Sequence, residues 1–246
     1  MSSRVHAYLS DTWNRDKVMA IVQFLPMALE GPVRNAGCEP LAASLGNLSK
    51  MADAYRAVTR LSLLFNALSP KTLESLAKPK EDAFVWRLEQ ISHAFHIGFC
   101  LNENQAVLAG HGVLKSELSR LGGIAVLCWL YTLILGIVRQ VYLLMKHNPN
   151  CPCKALAPHS AVGEKKVVPY THEQCKEAIV NLVKMGCFTV FAMTCLPEGK
   201  PQLLTDVSGP FVPLHTLIKT ISPNKLHLCD SVRGLLAFVA SMCDFY

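Results

Sequence analysis

One uncharged run, Leu121 to Val138 (LGGIAVLCWLYTLILGIV), constrains this chain more than any other feature in it. Arg120 precedes the run and Arg139 follows it, and these two residues mark its boundary. As a helix the run covers about 27 Å at about 1.5 Å per residue, close to the roughly 30 Å hydrocarbon core of a bilayer. The alternative is the fully buried core helix of a soluble domain, where an uncharged run of this length is rare. Trp129 and Tyr131 sit near its middle, so they form no aromatic belt at its ends. Beyond Arg139 the apolar pattern resumes from Val141 to Met145 before Lys146. Arg139 can therefore snorkel to the interface while the helix continues as an amphipathic tail. Composition agrees with a membrane setting: 51% of residues are hydrophobic and 17% charged, against about 25% charged in ordinary soluble domains. Neither Asn-Gly nor Asp-Gly hairpin dipeptides occur, and long alternating runs are missing. The expected fold class is all-α: a helical membrane protein with N-terminal amphipathic helices, one transmembrane helix and a further C-terminal membrane segment.

The rest of the chain reads as helices separated by breakers. A first helix is expected from Asp11 to Glu30, kinked at Pro26 and closed by Gly31-Pro32, with a loop from Asn35 to Pro40. A second, from Leu45 to Leu68, holds the sharpest periodicity. Met51, Ala54, Val58, Leu61, Phe65 and Leu68 form one stripe, with Asp53, Arg56 and Arg60 opposite. Such a helix packs in a bundle, or lies in a membrane interface with Lys50, Arg56 and Arg60 meeting lipid headgroups. Glu81 to Asn102 reads as a third helix, and Gln105 to Leu118 as a less regular stretch holding Gly110, His111 and Gly112. Residues 147–173 form a proline-bearing linker, and helix resumes from His172 to Leu196 before Pro197-Glu198-Gly199. The C-terminal apolar pieces are Val207–Ile221, interrupted by His215 and Lys219, and Arg233–Cys243; neither is long enough alone to cross a bilayer. The chain thus divides into an N-terminal helical region (1–118), a transmembrane helix with its tail (119–146), a linker (147–173) and a membrane-associated C-terminal region (174–246).

Catalytic signatures are missing. No phosphate-binding glycine loop, dinucleotide fingerprint or Gly-x-Ser-x-Gly elbow occurs. His93 and His96 lack a third ligand, and Cys151-Pro152-Cys153 with His159 lacks the second pair of a zinc site. The ten cysteines follow no disulfide framework, and residues 1–17 are too polar for a secretory signal. Cys243-Asp244-Phe245-Tyr246 is no peroxisomal matrix address. The net charge of +6 is scattered, its densest pair being Lys165-Lys166, which argues against nucleic acid as a partner. The expectation is a protein without catalytic, cofactor-binding or metal-binding residues, and not an enzyme.

The order of elements resembles the peroxin 11 family (peroxisomal biogenesis factor 11) from about Asn14 onward. Arg15-Asp16-Lys17 is similar to that family's N-terminal signature. Leu133 to Arg139, followed by Leu143-Leu144-Met145-Lys146, is similar to the Leu-Gly-x-x-Arg end of its first membrane segment. Leu196-Pro197-x-Gly199 and the run Gly234 to Met242 match its C-terminal pattern, although His215, Lys219, Asp230 and Arg233 interrupt the second span that pattern leads one to expect. The resemblance implies an integral protein of the peroxisomal membrane, or of the related glycosome. It implies elongation, proliferation and fission of the organelle through amphipathic-helix insertion, self-association and recruitment of fission machinery. The Asn47–Leu68 segment would be the inserting helix. A pore for small metabolites, also proposed within the family, is one rival; a soluble helical adaptor or enzyme is another. Basic residues lie too evenly around the uncharged run to give its orientation.

Overall fold

The computed structural model describes residues 11–147, 169–199 and 212–246, all helix, turn or coil with no strand among them. Among the described residues nine α-helices follow in order: α1 (Thr12–Asn35), α2 (Glu39–Arg60), α3 (Leu63–Ala67), α4 (Pro70–Ala77), α5 (Ala83–Gly110), α6 (Leu121–His147), α7 (His172–Cys195), α8 (Val212–Ile221) and α9 (Asp230–Met242). A 3-10 turn, Ser116–Arg120, leads into α6. The all-α expectation holds. Most of the linker (148–168) and the first residues of the Val207–Ile221 piece lie outside the described residues.

Local chemistry sets the helix ends. α1 runs past Gly31-Pro32 to Asn35 and keeps both Pro26 and Pro32 inside it, a correction to the expected stop at Glu30. Its true terminator is Gly37, at φ 82°. The Gly37 and Cys38 N–H groups donate to the carbonyls of Arg34 and Val33 at 3.0 and 3.2 Å, a Schellman closure that needs a left-handed residue. Pro40 then opens α2 in its first turn, where no N–H is missed. The expected continuous helix to Leu68 breaks at Leu61-Ser62 instead. There the Leu61 N–H tightens onto Val58 O at 3.2 Å, and Asn104 Nδ2 donates to the Leu61 carbonyl at 3.2 Å. Ser69 and Asp82 cap α4 and α5, and Thr171 with Gln174 forms a capping box on α7. The stretch Gln105–Gly110 belongs to α5 rather than to an irregular connection.

Each long helix packs on its neighbour in the sequence α2, α1, α9, α7, α6, α5, with α3 and α4 lying along α5. Two apolar clusters hold the centre. Leu127 and Leu130 of α6 meet Ala192 and Leu196 of α7 and Ile218 of α8; Ala20 and Phe24 of α1 meet Phe191 and Ala237. Trp129 packs against both, and Tyr131 Oη donates to the Ile221 carbonyl at 2.6 Å. The two aromatics at mid-helix are thus packing and pinning residues. Small residues let backbones approach. A Cβ on Gly136 would lie 2.7 Å from Met185 Sδ, and one on Gly234 would run into the α1 backbone, 2.8 Å from the Met27 carbonyl carbon.

Among the described residues two helices are long and apolar enough to cross a membrane: α6 with its leading turn (Ser116–His147) and α7 (His172–Cys195). The second candidate, α7, falls in the C-terminal region where a further membrane segment is expected. α8 and α9 are short, with only ten and thirteen residues.

Candidate functional site

Around its apolar centre the bundle carries ion pairs between helices, and it also leaves large apolar side chains on its outside. Ion pairs link neighbouring elements: Asp16 of α1 with Arg56 of α2, Arg60 of α2 with Glu103 of α5, Glu89 of α5 with Arg139 of α6, Lys184 of α7 with Asp244. Asp82, at the head of α5, takes Lys146 and the Tyr142 hydroxyl from α6, the latter at 3.0 Å. Large apolar side chains point the other way. Ile134, Val138, Val141 and Met145 are exposed along α6; Val232, Leu235, Val239 and Met242 along α9.

The same outward placement of apolar side chains shapes the α2–α3 segment. Met51, Val58 and Phe65 are 62%, 56% and 77% exposed; Ala54 and Leu68 are exposed too, and Leu61 is half-buried at the helix break. Leu48 and Tyr55 widen the face. Residues buried from α2 are only Ala42, Gly46 and Ala52. The stripe read from the sequence is therefore an outer face and no part of the bundle core. Its continuity is interrupted at Leu61-Ser62, so the outer face is carried by two helical pieces.

The three basic residues expected at headgroups separate. Lys50 is exposed on α2. Arg56 turns inward: its Nε and Nη2 donate to Asp16 Oδ1 and Oδ2 at 3.0 and 3.1 Å, Nη1 donates to Gln23 Oε1 at 2.6 Å, and the guanidinium lies 5.4 Å from the Phe24 ring centre. Arg60 Nη1 lies 3.2 Å from Glu103 Oε1. Both arginines are thus internal ion-pair partners, which differs from a headgroup-facing placement. Gln23 and Glu103, and the pairing role of Asp16, are what sequence reasoning missed here; their only signal was a polar residue on the inner side of an apolar helix, two of them on α1 and one on α5. Burial pushes the Glu103 carboxyl above its ordinary range, against the opposing pull of Arg60 and Arg56, and its Oε2 has no hydrogen-bond partner.

The boundary residues also act within the fold. Arg120 Nε donates to the Glu117 carbonyl at 2.9 Å, closing the turn before α6. Arg139 sits mid-helix, with Glu89 at 3.1 Å, and α6 continues to His147. Among the described residues no group of three His, Cys, Asp or Glu side chains is placed to hold a metal. His93 Nε2 meets the Ala67 carbonyl at 2.9 Å, while the Cys151–Cys153 motif and His159 lie outside the described residues.

The sequence model of the family described as peroxisomal biogenesis factor 11 matches residues 2–242. No curated protein and no solved structure matches the chain.

Proposed function

Because the chain belongs to the peroxisomal biogenesis factor 11 family, and so serves peroxisome biogenesis at that organelle's membrane, we propose that it shapes the bilayer with the outer face of α2 and α3. The observation that supports this reading most is the outward apolar stripe of Met51, Val58 and Phe65 above an inner side tied down by polar contacts. α6 and α7 anchor the chain as spans. Met51, Ala54, Val58, Leu61, Phe65 and Leu68 enter the headgroup region as a wedge, expanding one leaflet, while Lys50 meets anionic lipid. Full insertion of a Val, Leu, Met or Phe side chain is worth about 1.5–3 kcal/mol, against about 1 kcal/mol for a basic group near an anionic surface. The stripe therefore dominates the charge. Elongation and fission follow from many copies acting together, through self-association in the membrane and recruitment of fission machinery. The same chemistry serves a peroxisome or its glycosomal relative.

The test is full-length protein reconstituted with phosphatidylserine-containing vesicles. Val58→Glu and Phe65→Glu place charges on exposed positions, so the fold is expected to survive while tubulation of the vesicles is lost. Normal tubulation by both folded variants would refute the wedge.

A further inference from the structure

α2 packs along α1 without burying any large side chain of its own, and a set of charged contacts adds to that packing. Its buried residues, Ala42, Gly46 and Ala52, are all small. Its polar underside is saturated: Arg56 forks onto Asp16 and reaches Gln23, Gln23 Nε2 donates to Asp53 Oδ1 at 2.8 Å, and Arg60 takes Glu103. Both ends of the helix offer a place to bend. Gly37, with φ 82°, precedes α2, and the helical break at Leu61-Ser62 follows it.

Guanidinium binds a carboxylate and a phosphate in the same forked geometry. Exchanging one for the other keeps each arginine paired, while the departure of α2 uncovers the Asp16 and Glu103 carboxylates to water and so limits the cost of stripping them of their partners. Glu103 is the weaker anchor, because one of its buried oxygens has no partner.

We propose that Asp16 and Glu103 stand in for lipid phosphate and latch α2 against α1 and α5 until anionic phospholipid headgroups take over Arg56 and Arg60. This latch rests on α2 being the membrane wedge, and it adds a condition: the wedge inserts fully only after leaving the bundle. It makes the arginines headgroup ligands of the released helix, and it makes the organelle's anionic lipid the trigger.

A reducible lock tests the latch. Gln23→Cys with Asp53→Cys places one thiol on α1 and one on α2 at positions whose side chains are hydrogen-bonded in the native protein, and mass spectrometry of the oxidised variant establishes that the bridge has closed before vesicles are added. With vesicles containing phosphatidylserine, the oxidised variant is expected to lose tubulation and regain it on reduction, while the native protein tubulates with or without reductant. An oxidised variant as active as its reduced form overturns the latch and leaves the wedge standing. A native protein that never tubulates overturns the wedge and the latch with it. Four single variants give an independent reading. Asp16→Asn and Glu103→Gln should lower the phosphatidylserine fraction needed, and Arg56→Gln and Arg60→Gln should raise it. A merely structural role would shift all four the same way and overturn the proposal. Inorganic phosphate added to phosphatidylcholine vesicles should leave the native protein inactive; activation there would overturn the headgroup as the occupant.

Discussion

The guanidinium of Arg139 lies 3.1 Å from the carboxylate of Glu89 across the α5–α6 interface, and Lys80 shares the same carboxylate. Arg139 Nε is buried with no acceptor, so Glu89 is what compensates this cation. Glu89→Leu should cost roughly 1–3 kcal/mol, below the 3–5 kcal/mol of a fully buried broken pair because the Arg139 side chain is partly exposed. Combining it with Arg139→Leu should recover most of the loss. Thermal unfolding in detergent micelles measures both, and a double variant as unstable as Glu89→Leu would show that the pair is not responsible.

Ile134 and Leu130 separate a lipid-facing position from a core one on the same helix. Leu130 is 1% exposed and Ile134 36%. Ile134→Arg should reduce carbonate-resistant membrane association, since arginine at the centre of a spanning helix costs about 2.5–3.5 kcal/mol on insertion scales. In a soluble bundle the same change would be nearly neutral. Leu130→Arg would disrupt either protein, so Ile134 is the informative site.

Gly234 supplies the close approach of α9 to α1. Gly234→Leu must push the two backbones apart and should destabilise by about 1–3 kcal/mol or more, as overpacking does. Gly186 on α7 has open space where a Cβ would stand. Gly186→Ala should therefore be neutral or stabilising by up to about 1 kcal/mol from helix propensity alone. Paired unfolding curves check this, and equal losses at both glycines would count against the packing argument.

Asp82 sets an acid limit. Burial raises its carboxyl, but hydrogen bonds from Lys146, the Val85 N–H and Tyr142 outweigh it and hold the group below its ordinary value of 3.8. With the folded value lower than the unfolded one, the stabilisation is complete above the ordinary carboxylate range. It disappears as pH falls through the depressed value. Asp82→Asn keeps a helix cap but removes this titration. The variant should be less stable at neutral pH and should show a shallower loss of stability below pH 4, read from unfolding at a series of pH values.

α6 was legible because a long uncharged run admits few environments, and its pattern needs no partner to be read. The α2 stripe was legible as a stripe. Which side of it faced inward was not, because Arg56 and Arg60 look like solvated charges until Asp16 and Glu103 arrive from distant parts of the chain. Periodicity also carried the second helix through Leu61, since the carbonyl captured by Asn104 leaves no local trace. α7 was legible as a helix but not as a candidate span, because Glu173, Lys176, Glu177 and Lys184 mask its uncharged half beyond Met185. Gly234 belonged to a recognisable C-terminal run, but its reason, a backbone crossing at Met27 and Ala28, exists only in three dimensions.

The packing of α9 on α1 joins the first and last of the described helices. During synthesis, α1 emerges early and pairs with α2, yet its other flank, with Ala20 and Phe24, is lined only when Phe191 and then Ala237 arrive. Closure of such a long loop comes late and slowly. For that interval the nascent chain carries an open apolar seam, the kind of surface that aggregates unless shielded. The α1 flank of the bundle therefore stays incomplete until α9 has been made, and closure of the described helices is a late event.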